Sequence, residues 1–147
     1  MESILIVDDD SGIRKQLKWG LEKDYKVLLA EDGRKALDLF KQHEPKVVSL
    51  DLGLPPDADG ASEGLRVLEE ILAQGKGTKV VVVSGNEDHK NALAAIGLGA
   101  YDFCHKPIEL DTLKIILSRA IHLANLEAEN LRLQESKAGE KASMEGI

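Results

Sequence analysis

The chain has 147 residues, 43% of them hydrophobic, and its 26 acidic and 19 basic residues leave a net charge of −7. This length and composition predict one folded domain with a short appendage and exclude a largely disordered chain. The acidic balance argues against direct nucleic-acid contact by this segment, and no apolar run approaches the roughly 18 residues that cross a bilayer. We therefore expect a cytoplasmic protein without membrane contact, which the single Cys104 also fits.

Short, β-branched apolar runs alternate along the chain with segments of helical periodicity. Such runs are typical of strands that are covered on both faces of a sheet. Five strands are expected, at residues 4–7, 26–30, 47–50, 80–83 and 102–105. Their alternation with five helices predicts an α/β fold with right-handed crossovers, in which a parallel sheet lies between two layers of helices.

The predicted helices are marked by apolar residues three or four positions apart and by residues typical of helix ends. The first is expected to begin after a capping Asp10, with Ile13, Leu17 and Leu21 recurring every four residues and Trp19 packed on a face of the helix. The glycines expected to end the third and fourth helices are Gly75, Gly77, Gly97 and Gly99.

Helical character continues beyond the fifth helix, so we divide the chain into a domain at residues 1–122 and a C-terminal segment at residues 123–147. In that segment, spacings of three, four and three residues predict a coiled-coil seam with asparagine at a core position. The seam residues are Leu123, Leu126, Asn130 and Leu133. We expect the seam to pair two copies in a parallel homodimer. From Ser136 onward the periodicity is lost, which predicts a linker.

Polar residues follow four of the predicted strands. Asp8 and Asp9 come after the first strand, Asp51 after the third, Ser84 after the fourth and Lys106 after the fifth. In an open parallel sheet, ligands bind in the crevice beyond the carboxyl ends of the strands. Any one of these residues alone would be read as a helix cap or a turn residue. Five of them at one edge favour a chemical site.

The three carboxylates predict a metal site. Like charges at close range raise one another's pKa values unless a cation neutralises them. Hard oxygen ligands beside a phosphoryl substrate favour Mg²⁺. The expected ligands are the side chains of Asp8, Asp9 and Asp51 and the backbone carbonyl of Gly53.

Asp51 is expected to be a nucleophile that accepts a phosphoryl group as an acyl phosphate. Phosphoryl transfer depends on positioning and on neutralising the charge of the phosphoryl oxygens. Lys106 is expected to pair with one of these oxygens and Ser84 to donate a hydrogen bond to another. Gly85 leaves space for the incoming group. No role is assigned to the histidines, which lack the spacing of a metal site: His43, His89, His105 and His122.

As a set, these residues resemble the receiver domain of bacterial two-component response regulators. The resemblance covers residues 1 to about 122. It rests on motifs in a specific order along the chain: Asp8-Asp9, Asp51 with Leu54-Pro55, Val83-Ser84-Gly85, and Lys106-Pro107.

The resemblance implies a doubly wound, CheY-like (flavodoxin-like) fold with strand order 2-1-3-4-5. It also implies Mg²⁺-dependent transfer of a phosphoryl group from the phosphohistidine of a sensor histidine kinase to Asp51. A cis bond is implied between Lys106 and Pro107, where proline weakens the preference for trans. Phe103 corresponds to the aromatic residue that turns inward when Ser84 moves toward the phosphoryl group.

The chain departs from the family's pattern near Asp51. If Gly64 takes the place of the glycine that opens the third helix, the stretch Pro56–Glu63 carries about five extra residues, in a region that tolerates insertion. Gly53 and Asn86 occupy positions that tune the lifetime of the phosphoryl group in the family. Because Gly53 has no side chain to shield the site, we predict a short lifetime.

The C-terminal helix is similar to the signal helix of NtrC-type transcription activators, in which a receiver is joined to an ATPase domain and a DNA-binding domain. Two alternatives remain open at this point. One is a free-standing receiver that acts only by docking to a partner. The other is a small phosphatase of the haloacid-dehalogenase type, although the segment Asp8-Asp9-Asp10-Ser11 lacks that family's second aspartate two residues after the nucleophile and its nearby threonine.

Overall fold

A computed structural model of the protein describes residues 1–57, 60–85 and 88–145, with side chains through Ser136. Strands and helices alternate along these ranges. The strands are β1 (Ser3–Val7), β2 (Lys26–Ala30), β3 (Val47–Asp51), β4 (Lys79–Ser84) and β5 (Asp102–His105). The helices are α1 (Ser11–Leu21), α2 (Gly33–His43), α3 (Ser62–Ala73), α4 (His89–Leu98) and α5 (Leu110–Glu145).

The five strands form one parallel sheet in the order β2-β1-β3-β4-β5, which confirms the predicted doubly wound fold. Asp51, the last residue of β3, pairs with Val83 of β4. Ser84, the last residue of β4, pairs with His105 of β5. The register therefore brings the ends of β3, β4 and β5 together at one edge of the sheet.

The sheet separates two hydrophobic layers, because successive residues of a strand face opposite sides. Leu5 of β1 packs in the layer formed with α2, α3 and α4, whereas Ile4 packs in the layer formed with α1 and α5. Phe40 and Leu117 are fully buried in the first and second layer, respectively. Because the apolar residues of each strand must lie between the two helix layers, the polar residues that follow them lie at the carboxyl edge of the sheet.

The ends of two helices test the expected caps. Asp10 caps α1 as predicted, and its carboxylate accepts hydrogen bonds from the backbone N–H groups of Gly12 at 2.8 Å and Ile13 at 3.2 Å. In contrast, the prediction that Gly97 ends the fourth helix is wrong, because Gly97 lies inside α4. The helix ends at Gly99, whose φ of 117° is a conformation that favours glycine.

Hydrogen bonds from Ser62 to Asp57 link the loop between β3 and α3 to the start of that helix. The carboxylate of Asp57 accepts hydrogen bonds from the hydroxyl of Ser62 at 2.6 Å and from the backbone N–H of the same residue at 3.3 Å. Helix α3 begins at Ser62, two residues before the expected Gly64. A Cβ on Gly64 would lie 2.5 Å from the Cα of Leu52, so this glycine is required by close backbone packing. Residues 58–59 of the predicted insertion, and Asn86, lie outside the described residues.

The prediction for Trp19 is wrong. Its side chain is 77% exposed, whereas Leu17 and Leu21 are buried. Consecutive helical residues are about 100° apart, so a residue two positions from both leucines points away from the layer that they enter.

Helix α5 is continuous for 36 residues, so the predicted linker from Ser136 is instead helical through Glu145. Lysine, alanine, glutamate and methionine are good helix formers, and they sustain a helix without an apolar pattern. Two contacts hold the middle of α5 to the domain. Asn125 accepts a hydrogen bond from Lys46, and Glu127 forms an ion pair with Lys79 at 2.7 Å. Within the described part of the chain, no helix is apolar enough over a sufficient length to span a membrane.

Two of the predicted seam residues, Leu126 and Leu133, lie on the side of α5 that faces away from the domain, whereas Leu123 is partly buried. Ala120 and Ala124 mark the packed side and are buried. Leu126 is two positions from Ala124, about 200° around the helix, and it is exposed, as is Leu133. Pairing of two copies along this seam stays a prediction.

Candidate functional site

The acidic turn after β1 is held by local hydrogen bonds. The backbone N–H of Asp10 donates to the carboxylate of Asp8 at 2.9 Å, and the guanidinium of Arg14 donates to the backbone carbonyl of Asp8 at 2.7 Å. The side chain of Asp8 is buried, whereas Asp9 is exposed. These bonds orient Asp8 toward the crevice at the edge of the sheet. Sequence reasoning had not identified Arg14.

Asp51 lies at the carboxyl end of the central strand β3 and is only 3% exposed. One of its carboxylate oxygens accepts a hydrogen bond from the backbone N–H of Gly53 at 3.0 Å. The other lies 3.2 Å from Nζ of Lys106. This ammonium is also 3.7 Å from a carboxylate oxygen of Asp8, so it bridges the two buried acids.

The carboxylates of Asp8, Asp9 and Asp51 could hold a metal ion. One oxygen from each side chain lies within 4.8 Å of the corresponding oxygens of the other two. Three hard, negatively charged oxygens at this separation suit a small divalent cation. The predicted ligand side chains are therefore brought together, and Gly53 lies beside them through its bond to Asp51.

The pKa values of Asp8 and Lys106 are shifted because the site is buried and its acidic side chains lie close together. Burial raises the pKa of Asp8 from 3.8 to about 6, and the charge of Asp51 adds to this effect, although the hydrogen bond from the Asp10 backbone opposes it. For Lys106, burial lowers the pKa, but the charges of Asp51 and Asp8 outweigh burial and leave the pKa raised. The site therefore favours positive charge: a proton or a cation lowers its free energy.

The remaining predicted residues border the acidic cluster on the side of β4 and β5. The hydroxyl of Ser84 is buried and lies 3.2 Å from Nδ1 of His105. Phe103 is partly buried against the layer of α2, α3 and α4. Gly85 is exposed, and a Cβ there would meet no atom within 4 Å. The bond between Lys106 and Pro107 is cis, as the resemblance implied.

His105 is the second residue that sequence reasoning missed. Its spacing to the other histidines carries no signal of a metal site. The useful signal is its position at the end of β5, directly opposite Ser84 in the sheet. Once the strand order is known, this register places an imidazole beside the hydroxyl.

Comparison with known proteins agrees with this geometry. Residues 4–118 match the family described as "Response regulator receiver domain". The chain belongs to this family. The receiver match includes the acidic cluster, Ser84 and Lys106, and it ends within α5.

The receiver domain is similar to several longer regulators. It is 31% identical to regulatory protein AtoC of Escherichia coli over 90% of this chain and 28% of that protein. It is 32% identical to a putative NtrX-like response regulator of Rickettsia conorii over 97% of this chain and 30% of that protein. The crystal structure of NtrX from Brucella abortus superposes with a TM-score of 0.80 at 33% identity, covering 90% of this chain and 30% of that one. The chain thus spans about three tenths of the length of these relatives.

Proposed function

We propose that this receiver domain accepts a phosphoryl group on Asp51 from a sensor histidine kinase in the cytoplasm and acts as a phosphorylation-controlled switch. The observation that carries the proposal is the position of the Asp51 carboxylate. It is buried at the end of β3, within 4.8 Å of oxygens of Asp8 and Asp9 and 3.2 Å from Nζ of Lys106. Phosphoryl transfer needs a positioned nucleophile surrounded by neutralising charge, and this arrangement supplies both.

In the proposed reaction, a carboxylate oxygen of Asp51 attacks the phosphorus atom of a phosphohistidine. The new O–P bond forms as the P–N bond to the imidazole breaks, and the imidazole leaves with its electron pair. Lys106 already lies beside Asp51 and pairs with a phosphoryl oxygen as a point charge. Ser84 donates its hydroxyl hydrogen to another oxygen. These two side chains neutralise part of the charge that accumulates on the transferred group.

Mg²⁺ is the proposed cofactor, held by the side chains of Asp8, Asp9 and Asp51 and the backbone carbonyl of Gly53. When bound, the ion supplies positive charge that offsets both the acidic cluster and the phosphoryl oxygens. The raised pKa of Asp8 fits this assignment, because burial and, to a smaller extent, the charge of Asp51 disfavour the ionised carboxylate, and a bound cation would offset both effects.

The proposal is tested by mass spectrometry of the intact protein after incubation with acetyl phosphate and Mg²⁺. We expect the wild-type chain to gain one phosphoryl group and the Asp51→Asn variant to gain none. Asp38→Asn is a matched control, because Asp38 is an exposed aspartate within α2 and does not belong to the cluster of Asp8, Asp9 and Asp51. Labelling of Asp51→Asn to the same extent as wild type would contradict the proposal. Continuous hydrolysis of a generic phosphate ester would instead favour the phosphatase alternative.

We further propose that phosphorylation controls a transcription-activating output domain of the NtrC type. In this proposal DNA is contacted by the output domain and not by the receiver domain. The similarity to AtoC and to NtrX-like regulators supports this role, and the NtrX-like similarity extends over 144 residues, into the long α5 helix. The switch would act by changing how two copies pair through the seam of Leu123, Leu126, Asn130 and Leu133. Of these, Leu126 and Leu133 are exposed on the side of α5 away from the buried Ala120 and Ala124, whereas Leu123 is partly buried.

The dimer proposal has a matched pair of test variants. Leu133 of the seam and Leu131 outside it are 55% and 56% exposed, respectively. They lie two positions apart, about 200° around the helix. We expect Leu133→Glu to prevent dimerisation in sedimentation-velocity measurements of the phosphorylated protein, and Leu131→Glu to leave it intact. A monomeric wild-type protein at high concentration, with and without acetyl phosphate, would refute the dimer.

A further inference from the structure

The hydroxyl of Ser84 is already engaged in the unphosphorylated protein. Ser84 and His105 are paired in register at the ends of β4 and β5, and their side chains lie on the same side of the sheet. The Ser84 oxygen is 3.2 Å from Nδ1 of His105. Because this hydroxyl is buried, it requires a hydrogen-bond partner inside the protein. His105 supplies that partner before any phosphoryl group arrives.

The second neighbour of the same ring nitrogen determines which group donates. Nδ1 of His105 also lies 3.3 Å from the backbone carbonyl oxygen of Gly85, which can only accept. A bare nitrogen lone pair beside that oxygen would be repelled, so Nδ1 carries the proton. This proton is shared between the Gly85 carbonyl and the Ser84 hydroxyl. Both distances exceed the most common N–H···O distance of about 2.9–3.0 Å, as expected for a three-centre bond.

Aromatic contacts hold the imidazole in this position. The ring of Phe103, two residues earlier on β5, meets it edge-on with centroids 5.2 Å apart. The ring of His89 at the start of α4 meets it from another side at 4.8 Å, also edge-on. His105 thus connects the Ser84 hydroxyl to Phe103 and to α4.

We propose that His105 is a positioning residue that holds the Ser84 hydroxyl in the resting state and must release it when a phosphoryl group is present. This inference rests on the proposed phosphorylation of Asp51. In the phosphorylated protein, Ser84 would donate to a phosphoryl oxygen, while His105 keeps its bond to the Gly85 carbonyl. The hydrogen bond from His105 leaves the O–H of Ser84 free but fixes the position of its oxygen beside β5. It therefore favours the resting arrangement and opposes the phosphorylated one, in which that oxygen would move away from Nδ1 toward Asp51.

The expected effect follows from the loss of one hydrogen bond. Without a donor at the Nδ1 position, the resting state loses its advantage, and affinity for a phosphoryl mimic should rise by about two- to tenfold, the range of one ordinary hydrogen bond. The probe is beryllofluoride with Mg²⁺, and the readout is its dissociation constant measured by isothermal titration calorimetry.

A matched pair of variants separates positioning from packing. In His105→Asn, the side-chain amide nitrogen occupies about the position of Nδ1 and retains the donor. In His105→Gln, the same amide lies one methylene further from the backbone and cannot reach Ser84 in the same way. We expect His105→Asn to bind beryllofluoride with wild-type affinity and His105→Gln to bind it more tightly. Urea unfolding of both variants shows whether they are folded to the same extent.

A double-mutant cycle tests whether the effect passes through Ser84. In a Ser84→Ala background, the difference between the asparagine and glutamine variants should disappear. If it persists, or if both variants bind the probe as tightly as wild type, the positioning role of His105 is refuted while phosphorylation of Asp51 stands. If the wild-type protein takes up neither beryllofluoride nor a phosphoryl group from acetyl phosphate, the proposed function itself fails.

Discussion

Replacing Asp8 with asparagine is expected to stabilise the metal-free receiver domain. In the folded protein, burial is the main cause that raises the pKa of Asp8 from 3.8 to about 6. At about 1.4 kcal/mol per pH unit, this difference corresponds to an upper limit of about 3 kcal/mol by which ionised Asp8 destabilises the fold at neutral pH. Part of the shift arises from neighbouring charges that solvent screens, so we expect a gain of about 2 kcal/mol.

The sign follows from proton binding. Between pH 3.8 and about 6, the folded state retains the proton on Asp8 while the unfolded state has lost it. The contribution of Asp8 to stability is therefore present at low pH, falls as the pH rises through this window, and is constant above it. Asparagine removes this dependence. It also keeps a side-chain oxygen that can accept the hydrogen bond from the Asp10 backbone.

The assay is urea denaturation between pH 4 and pH 8 in the presence of EDTA. The difference in unfolding free energy between Asp8→Asn and wild type should be small at pH 4 and reach its full value above pH 6. Asp38→Asn controls for the loss of one negative charge. With saturating Mg²⁺, wild type should gain more stability than Asp8→Asn, because the variant lacks one proposed ligand. An Asp8→Asn variant that is no more stable than wild type at pH 7.5 without metal would refute the reasoning.

Three further predictions concern other parts of the site and fold. Lys106→Met should lower the unfolding free energy of the metal-free protein at pH 7.5 by about 1 kcal/mol, measured by urea denaturation, because two buried carboxylates lose their shared cation; an increase would contradict this. Gly64→Ala should lower the melting temperature sharply because its Cβ would meet the Leu52 backbone, whereas Gly97→Ala, with no atom within 4 Å, should raise it slightly; equal shifts would count against the packing argument. Gly53→Ala should lengthen the half-life of the phosphorylated protein after removal of acetyl phosphate, and a wild-type form that persists for many hours with Mg²⁺ would overturn the predicted short lifetime.

The strands and their order were predictable because their signal is local. A continuous β-branched run can be covered on both faces only inside a sheet, and its alternation with helices restricts the topology. The acidic cluster was predictable for a related reason: Asp8 and Asp51 directly follow such runs, and the carboxyl ends of parallel strands meet at one edge.

The errors came from reading residue type without its environment. Gly97 has helical neighbours on both sides and space around it, so it does not end α4, whereas the left-handed backbone at Gly99 does. Trp19 is expected to pack on a face of α1, but Leu17 and Leu21 define the packed side of that helix and Trp19 is exposed.

The role proposed for His105 could not be found in the sequence. It depends on a pairing between β4 and β5, on the carbonyl of Gly85 and on the ring of His89, which lie 20 and 16 positions earlier in the chain, respectively. No periodicity links these residues. Long-range register of this kind is set by the assembled sheet and becomes visible only with the fold.

Helix α5 is continuous and therefore behaves as a rigid rod. At about 1.5 Å per residue, its 36 residues extend about 54 Å. Lys46 and Lys79 contact α5 near its midpoint, and these contacts fix the rotation of the helix about its axis relative to the sheet. Each residue inserted after these two contacts would rotate the C-terminal part of α5 by about 100° about the helix axis. An insertion of seven residues would return its side chains to nearly the same direction. The direction in which the distal seam residues Asn130 and Leu133 point relative to the sheet is therefore set by the number of residues that separate them from Glu127.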